Sequence, residues 1–208
     1  LKIYRIAKYI IFDLTDNVTL IFHLGMSGRM RLIKNNIYKK FKHDHILINL
    51  NKEYILVFND PRKFGFVDFS LTSNLKKKKY FLKLGLDPLE NELNKDYLLN
   101  KFKNSNSSIK QLILNQQIIT GIGNIYACEI LYDAKISPFI PGRCLNLSTI
   151  KRLIKSIRKI LEKAILFGGT SLRDYVSVDG TIGNFQSKFK VYNKEGKKIS
   201  KFNIVRIK

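Results

Sequence analysis

NQQIITGIGNIYACEIL, residues 115–131, sets two glycines and an asparagine between two runs whose apolar spacing is helical. Glycine inside a helix costs about 1 kcal/mol relative to alanine, so Gly121 and Gly123 mark a place where the backbone turns or approaches something closely. A Gly-x-Gly-Asn turn that feeds a helix offers unpaired backbone N–H groups and the positive end of the helix dipole, an arrangement that suits a phosphate. Asn124 fits two compatible roles there, capping the helix or donating its side-chain amide to the same phosphate. Taken alone, the stretch fits equally well a helical hairpin whose glycines only permit a tight turn.

Outward from this turn the helical pattern continues on both sides. SSIKQLILNQQII, NIYACEILYDA and LSTIKRLIKSIRKILEKAILFGG carry apolar residues at helical spacing, the last with Ser148 as N-cap and Gly168-Gly169 as the stop. Residues 1–70 read differently. IYRIAKYIIFDL, NVTLIFHLG, GRMRLI, HDHILINL, YILVFND and FGFVDF alternate apolar and polar with breaks at Asn, Gly and Pro, which predicts an antiparallel sandwich. The expected fold is therefore α+β: an N-terminal β-sandwich over 1–90 and a helical domain over 91–208, divided in the charged and Asn/Ser-rich segment near 90–106.

Composition narrows the partners. The 208 residues include 38 Lys and Arg against 16 Asp and Glu, and the resulting +22 points to a polyanion such as nucleic acid, the alternative being that nucleotide bias in the coding gene produces a chain rich in Lys, Ile and Asn. Cys128 and Cys144 are too few and wrongly spaced for a Cys-x-x-Cys zinc site or a disulfide framework, which fits a reducing, cytosolic setting. No run approaches a membrane span, and no signal peptide or targeting segment is evident. The basic residues of 148–167 lie opposite the apolar face of an amphipathic helix and, like Lys76–Lys79, read as a solvated surface. The chain opens at Leu1, inside a strand-like run, so a preceding segment is expected to be missing.

Two further stretches carry chemistry. HLGMSGRMRL (23–32) sets Met26 between glycines at a hairpin tip, and DPRKFGFVDF (60–69) sets Arg62 and Phe64 behind a proline turn. A flexible apolar side chain, a guanidinium and an aromatic ring on loop tips are tools for wedging into an opened base stack. Singly, each also fits an ordinary turn or core residue. His43-Asp44-His45 has a spacing compatible with metal binding, but no third ligand is apparent.

Together, HLGMSGRMRL, KHDHILI, DPRKFGFVDF, LGLDPL, SIKQLILNQQIITGIGNIYACEILYDAKISP and GGTSLRDYVSVDGTIGNFQSKFKVYNKEGKK resemble, in order and over nearly the whole chain, the bacterial formamidopyrimidine-DNA glycosylases and their endonuclease VIII cousins. The run from Ser107 to Pro138 resembles the family's helix-two-turn-helix element. The resemblance implies a monomeric base-excision repair enzyme that flips and removes oxidised purines, 8-oxoguanine and formamidopyrimidines, from double-stranded DNA. It also implies cleavage of the strand at the abasic site by β,δ-elimination, and a cytoplasmic or organellar location. It assigns Lys8 to proton transfer and phosphate contact near the lesion, and Met26, Arg62 and Phe64 to the gap left by the flipped base. His23, His43, Lys110, Gly123 and Asn124 are assigned to the DNA backbone, and the segment Ser177–Phe185, with Asp179 and Gly180, to the loop that closes over the extruded base. Two family features are absent from these residues: the N-terminal Pro-Glu nucleophile segment, and a four-cysteine zinc finger, where Ile199 and Phe202 stand near the first cysteine pair. The chain is therefore expected to hold no metal or other cofactor and to be a weakly active fragment. The alternative is a family member, or a general nucleic-acid binder, that grips DNA without excision.

Overall fold

A computed structural model of the protein describes residues 2–170, 183–199 and 202–205. Seven strands, β1 Lys2–Ile6, β2 Tyr9–Asp13, β3 Val18–His23, β4 Arg29–Lys34, β5 Asp44–Asn49, β6 Tyr54–Asn59 and β7 Phe66–Leu71, form two antiparallel sheets of order β1-β2-β3-β7 and β4-β6-β5. Their inner faces meet as a sandwich. Phe22, Ile10, Phe12 and Val67 from one sheet pack with Met30, Leu56, Phe58 and Ile46 from the other, because strand alternation delivers every second side chain to the same face. Within IYRIAKYIIFDL the chain reverses: Ala7 adopts a left-handed φ of 52°, which splits the run into β1 and β2 and lifts Lys8 to the hairpin tip.

The helical half contains α1 Lys95–Phe102, α2 Ile109–Leu114, α3 Asn124–Asp133 and α4 Leu147–Leu166, followed by a short hairpin of β8 Lys198–Ile199 and β9 Phe202–Asn203. Asn94 caps α1 through the Asp96 and Tyr97 N–H groups, and Ser108 with Gln111 forms a capping box on α2. The cap of α4 is Asn146 rather than Ser148. Its side-chain oxygen takes the Thr149 N–H at 2.9 Å and its carbonyl takes the Ile150 N–H, while Ser148 only donates its hydroxyl to the same amide oxygen. Gly168 and Gly169, at φ 70° and 82°, end the helix as expected.

The chain divides into two compact units, one of residues 2–82 with 166–170 and 183–186, the other of 83–165 with 187–199 and 202–205. The division falls upstream of 90–106 because residues 85–86 are already bound to the helical unit. Gly85 and Leu86 donate to the Gln116 and Ile118 carbonyls, and Thr120 donates to Leu86. The return of the chain to the first unit after α4 has no counterpart in the sequence pattern. Within that unit Asn184 and Phe185 pair with Phe167 and Gly169. No described helix is long and apolar enough to cross a membrane.

Candidate nucleic-acid interface

In the sandwich unit two loops lie back to back. The β3–β4 loop carries Met26, 55% exposed, and the β6–β7 loop carries Arg62 and Phe64, the latter 56% exposed, with the guanidinium 4.7 Å from the ring centre. Gly25 makes their approach possible. It sits at φ 63°, and a Cβ there would lie 2.5 Å from the Phe64 carbonyl carbon. Beneath the loops, Ser27 donates its hydroxyl to Asp60 at 2.5 Å, the Gly65 N–H donates to the other carboxylate oxygen at 2.7 Å, and the Arg62 N–H reaches both Ser27 Oγ and Asp60. Burial by itself would raise the Asp60 carboxyl, but the bonds from Ser27, Gly65, Arg62 and Lys63 outweigh it and hold the group below the usual carboxylate range.

His23 ends β3 opposite Tyr9 and Phe66, its ring 5.0 Å from the Tyr9 ring and stacked at 5.5 Å on Phe66. Burial, and then the nearby Lys8 charge, push its pKa down. The Gly25 N–H donates to Nδ1 at 3.2 Å, which places the proton of the neutral ring on Nε2 and leaves that edge a donor. The amine of Lys8 also titrates below an ordinary lysine because it is desolvated, though the residue stands at an exposed tip. His43 joins the arrangement through its backbone: at φ 75° it turns its carbonyl to the Asp60 N–H, while His45 Nε2 lies 2.9 Å from the Asp60 carbonyl. Asp44, between the two histidines, is engaged by Arg31, Asn59, Tyr38 and the Phe41 N–H, so this triplet is a structural brace. Among the described residues no group of three or more His, Cys, Asp or Glu is placed to hold a metal, and the tail residues near Ile199 and Phe202 offer no zinc donors.

In the helical unit the Gly-Ile-Gly-Asn turn is braced by Gln116. Its side-chain oxygen takes the Gly121 N–H at 2.8 Å and its amide donates to the Leu114 and Ile122 carbonyls, holding Gly121 at φ 79°. Gly123 is the N-cap of α3 and has no side chain to occupy the first-turn N–H groups. Asn124 is thus the first helical residue and not the cap. Its oxygen faces the Cys128 thiol at 3.9 Å, and its amide N–H groups bond to no described residue, which keeps them available to a phosphate. Lys110, Asn124 and Cys128 line a cleft of about 170 Å³ with Tyr192, Asn193 and Glu195 of the tail.

Ser177, Asp179 and Gly180 lie outside the described residues. Phe185, the last residue of the segment expected to form the lesion loop, is described and is buried, its ring 1% exposed. On α4, Arg152 donates to Ala134, Arg158 to Glu90 and Leu93, and Lys159 pairs with Asp133 at 2.6 Å, so half of the basic row is engaged internally. Sequence reasoning missed Ser27, Asp60, Gln116 and Glu129. Asp-Pro marked a turn, but Asn115, Gln116 and Gln117 were read as part of a helical run that in fact stops at Leu114, and which side chain reaches back under a turn depends on long-range packing.

The family model described as "Formamidopyrimidine-DNA glycosylase N-terminal domain" matches residues 1–67, and that described as "Formamidopyrimidine-DNA glycosylase H2TH domain" matches 84–176. The formamidopyrimidine-DNA glycosylase of Zymomonas mobilis is 44% identical over 192 residues, covering 92% of this chain and 70% of the relative; that of Rickettsia canadensis is 44% identical over 198 residues, covering 95% and 72%. Among solved structures, Lactococcus lactis Fpg in complex with DNA containing an abasic site superposes with a TM-score of 0.88 at 37% identity, covering 97% of this chain and 73% of the other. The G226P mutant of the same protein, bound to DNA containing Fapy-dG, gives 0.88 at 36% with the same coverage.

Proposed function

Since the chain belongs to the formamidopyrimidine-DNA glycosylase family, we propose that it recognises oxidised purines in duplex DNA by extruding the damaged nucleotide, and serves base excision with accompanying cleavage at the abasic site. The observation that carries the reading is the back-to-back placement of the Met26 loop and the Arg62–Phe64 loop. Two exposed apolar groups and a guanidinium share one tip, where a protein that only binds phosphates has no use for them. Extruding a base leaves a hole in the stack, and filling it with Met26 and Phe64 offsets part of the unstacking cost of a few kcal/mol.

His23 donates from Nε2 to the backbone near the opened site, and Lys110 with Asn124 and the N-terminus of α3 grips a phosphate. The chemistry we assign to Lys8 follows from its desolvated amine. A lowered pKa raises the fraction of neutral nitrogen, suited to moving a proton at the sugar or to forming a Schiff base: the amine lone pair displaces the base at C1′ and the C1′–O4′ bond then opens, a proton passing from the amine to O4′, or at an abasic site the amine condenses with the aldehyde and water departs. No cofactor enters this scheme. The partner is double-stranded DNA with oxidised bases or abasic sites, bound by a monomer.

The test is paired. Equilibrium binding should favour a duplex carrying an abasic analogue over the intact duplex, and equal affinity would overturn lesion recognition. Borohydride trapping on an abasic duplex should give an adduct that Lys8→Ala removes. An adduct that survives in Lys8→Ala would assign the amine elsewhere, and no adduct despite preferential binding would leave the chain a reader of damage without lyase chemistry.

A further inference from the structure

Met26, Arg62 and Phe64 come from loops separated in sequence, yet one buried side chain lies under both. Asp60 is 1% exposed and Ser27 is 2% exposed. The carboxylate binds the first loop through the Ser27 hydroxyl and the second through the Gly65 and Arg62 N–H groups, while the Asp60 backbone binds the His43 carbonyl and His45 Nε2. From the Asp60 pairing to Ser27, the connection spans 33 residues. Gly25 and Gly65 complete it by letting the loops touch backbone to backbone, Gly65 standing where a Cβ would meet the His23 carbonyl at 2.6 Å.

A buried ionised carboxylate is costly unless every lone pair is used, and here hydrogen bonds from three chain positions use them. The residues it fixes are not a core. They are the bases of two exposed tips.

We propose that Asp60, with Ser27, is a positioning residue that couples the two loops into one pre-assembled wedge, so that Met26, Arg62 and Phe64 enter an opened stack together. This rests on the wedge reading proposed above. If the loops moved independently, each would have to be ordered in the complex, and that ordering would weaken binding only where the wedge is used, at the lesion.

The experiment measures the affinities of the full chain for an abasic-analogue duplex and an intact duplex over a range of salt. Asp60→Asn, and independently Ser27→Ala, should lower the abasic-to-intact ratio about tenfold, the size expected from one lost bond to a charged group, with the salt slope unchanged. Ser27→Thr, which retains the hydroxyl, should restore the ratio. Asp60→Asn added to Met26→Ala should lower the ratio little further, because both act through one wedge. Full additivity of the two losses, or an unchanged ratio in Ser27→Ala when Met26→Ala lowers it, would overturn the coupling. A Met26→Ala variant that keeps the full preference would instead overturn the wedge reading itself. If Asp60→Asn fails to fold, the Ser27 pair carries the test alone.

Discussion

Glu129 makes the sharpest demand on the helical unit. It is 2% exposed on α3, and its carboxylate accepts the Lys190 N–H at 2.8 Å, the Val191 N–H at 2.9 Å and the Tyr192 N–H at 2.8 Å. Three successive amides of the tail thus end on one buried anion, directly before the residues that line the cleft with Lys110 and Asn124. Each bond to a charged acceptor contributes about 1.5–3 kcal/mol, but they share one carboxylate and water can reach the half-exposed amides once it is removed, so their sum is not additive. Glu129→Ala should therefore cost about 3–4 kcal/mol, or about 10²–10³-fold in the opening equilibrium of this segment. Glu129→Gln keeps the oxygen serving Val191 and Tyr192 if it adopts the same rotamer, but sets an amide N–H₂ against the Lys190 N–H, and should cost about half as much. Hydrogen exchange over 189–195 reads this directly, since local opening exposes those amides before the unit unfolds. Unchanged exchange in both variants would refute the tether.

Four other substitutions separate the devices of the site. Gly25→Ala should destabilise the sandwich unit by about 2 kcal/mol or more and lower lesion preference, because its Cβ meets the Phe64 backbone and its φ is left-handed; thermal unfolding and abasic-duplex binding check this. Lys110→Ala should weaken abasic and intact duplexes alike and reduce the magnitude of the salt slope by about 0.9 if one phosphate contact is lost, whereas Met26→Ala should lower only the preference. The folded-state pKa of His23 lies below the ordinary 6.5, so the unfolded chain takes up the proton first. The stability from neutral His23 is full above that value and falls as the pH drops below it, a dependence that His23→Gln should flatten in denaturant titrations.

The sandwich and the helix-turn element were legible because strand alternation and glycine punctuation are local properties. Met26 and Phe64 were legible for a related reason: apolar residues on Gly- and Pro-marked turns contradict the pattern that surrounds them. What the sequence hid was long-range. Asp60 looked like the first residue of a proline turn, and only the pairing of β4 with β6 places Ser27 within reach of it. Gln116 and Glu129 were invisible in the same way, since nothing in a helical apolar pattern says that one polar residue turns inward to hold a turn or a tail. The Ala7 reversal was missed because alanine is not a turn former; the strand pairing of β1 with β2 imposes its left-handed φ. The Asn146 cap was missed because Ser148 is an equally good cap by type and lies two residues along.

The division of labour follows from what each set of groups can distinguish. Under the proposed function, a phosphate held at Lys110 and Asn124 would be the same on every duplex, so that grip would raise affinity for all DNA and carry no discrimination. Discrimination would then have to come from groups whose contact exists only when the stack is open, the part proposed above for Met26, Arg62 and Phe64. Their exposure is a liability in a solvated protein, and the buried Asp60 network beneath them adds a desolvation cost that an apolar core would not incur. Both features are accounted for if the tip must be rigid before it meets the lesion. A loop that had to be ordered on binding would lose, at the damaged site alone, the margin that separates damaged from intact DNA.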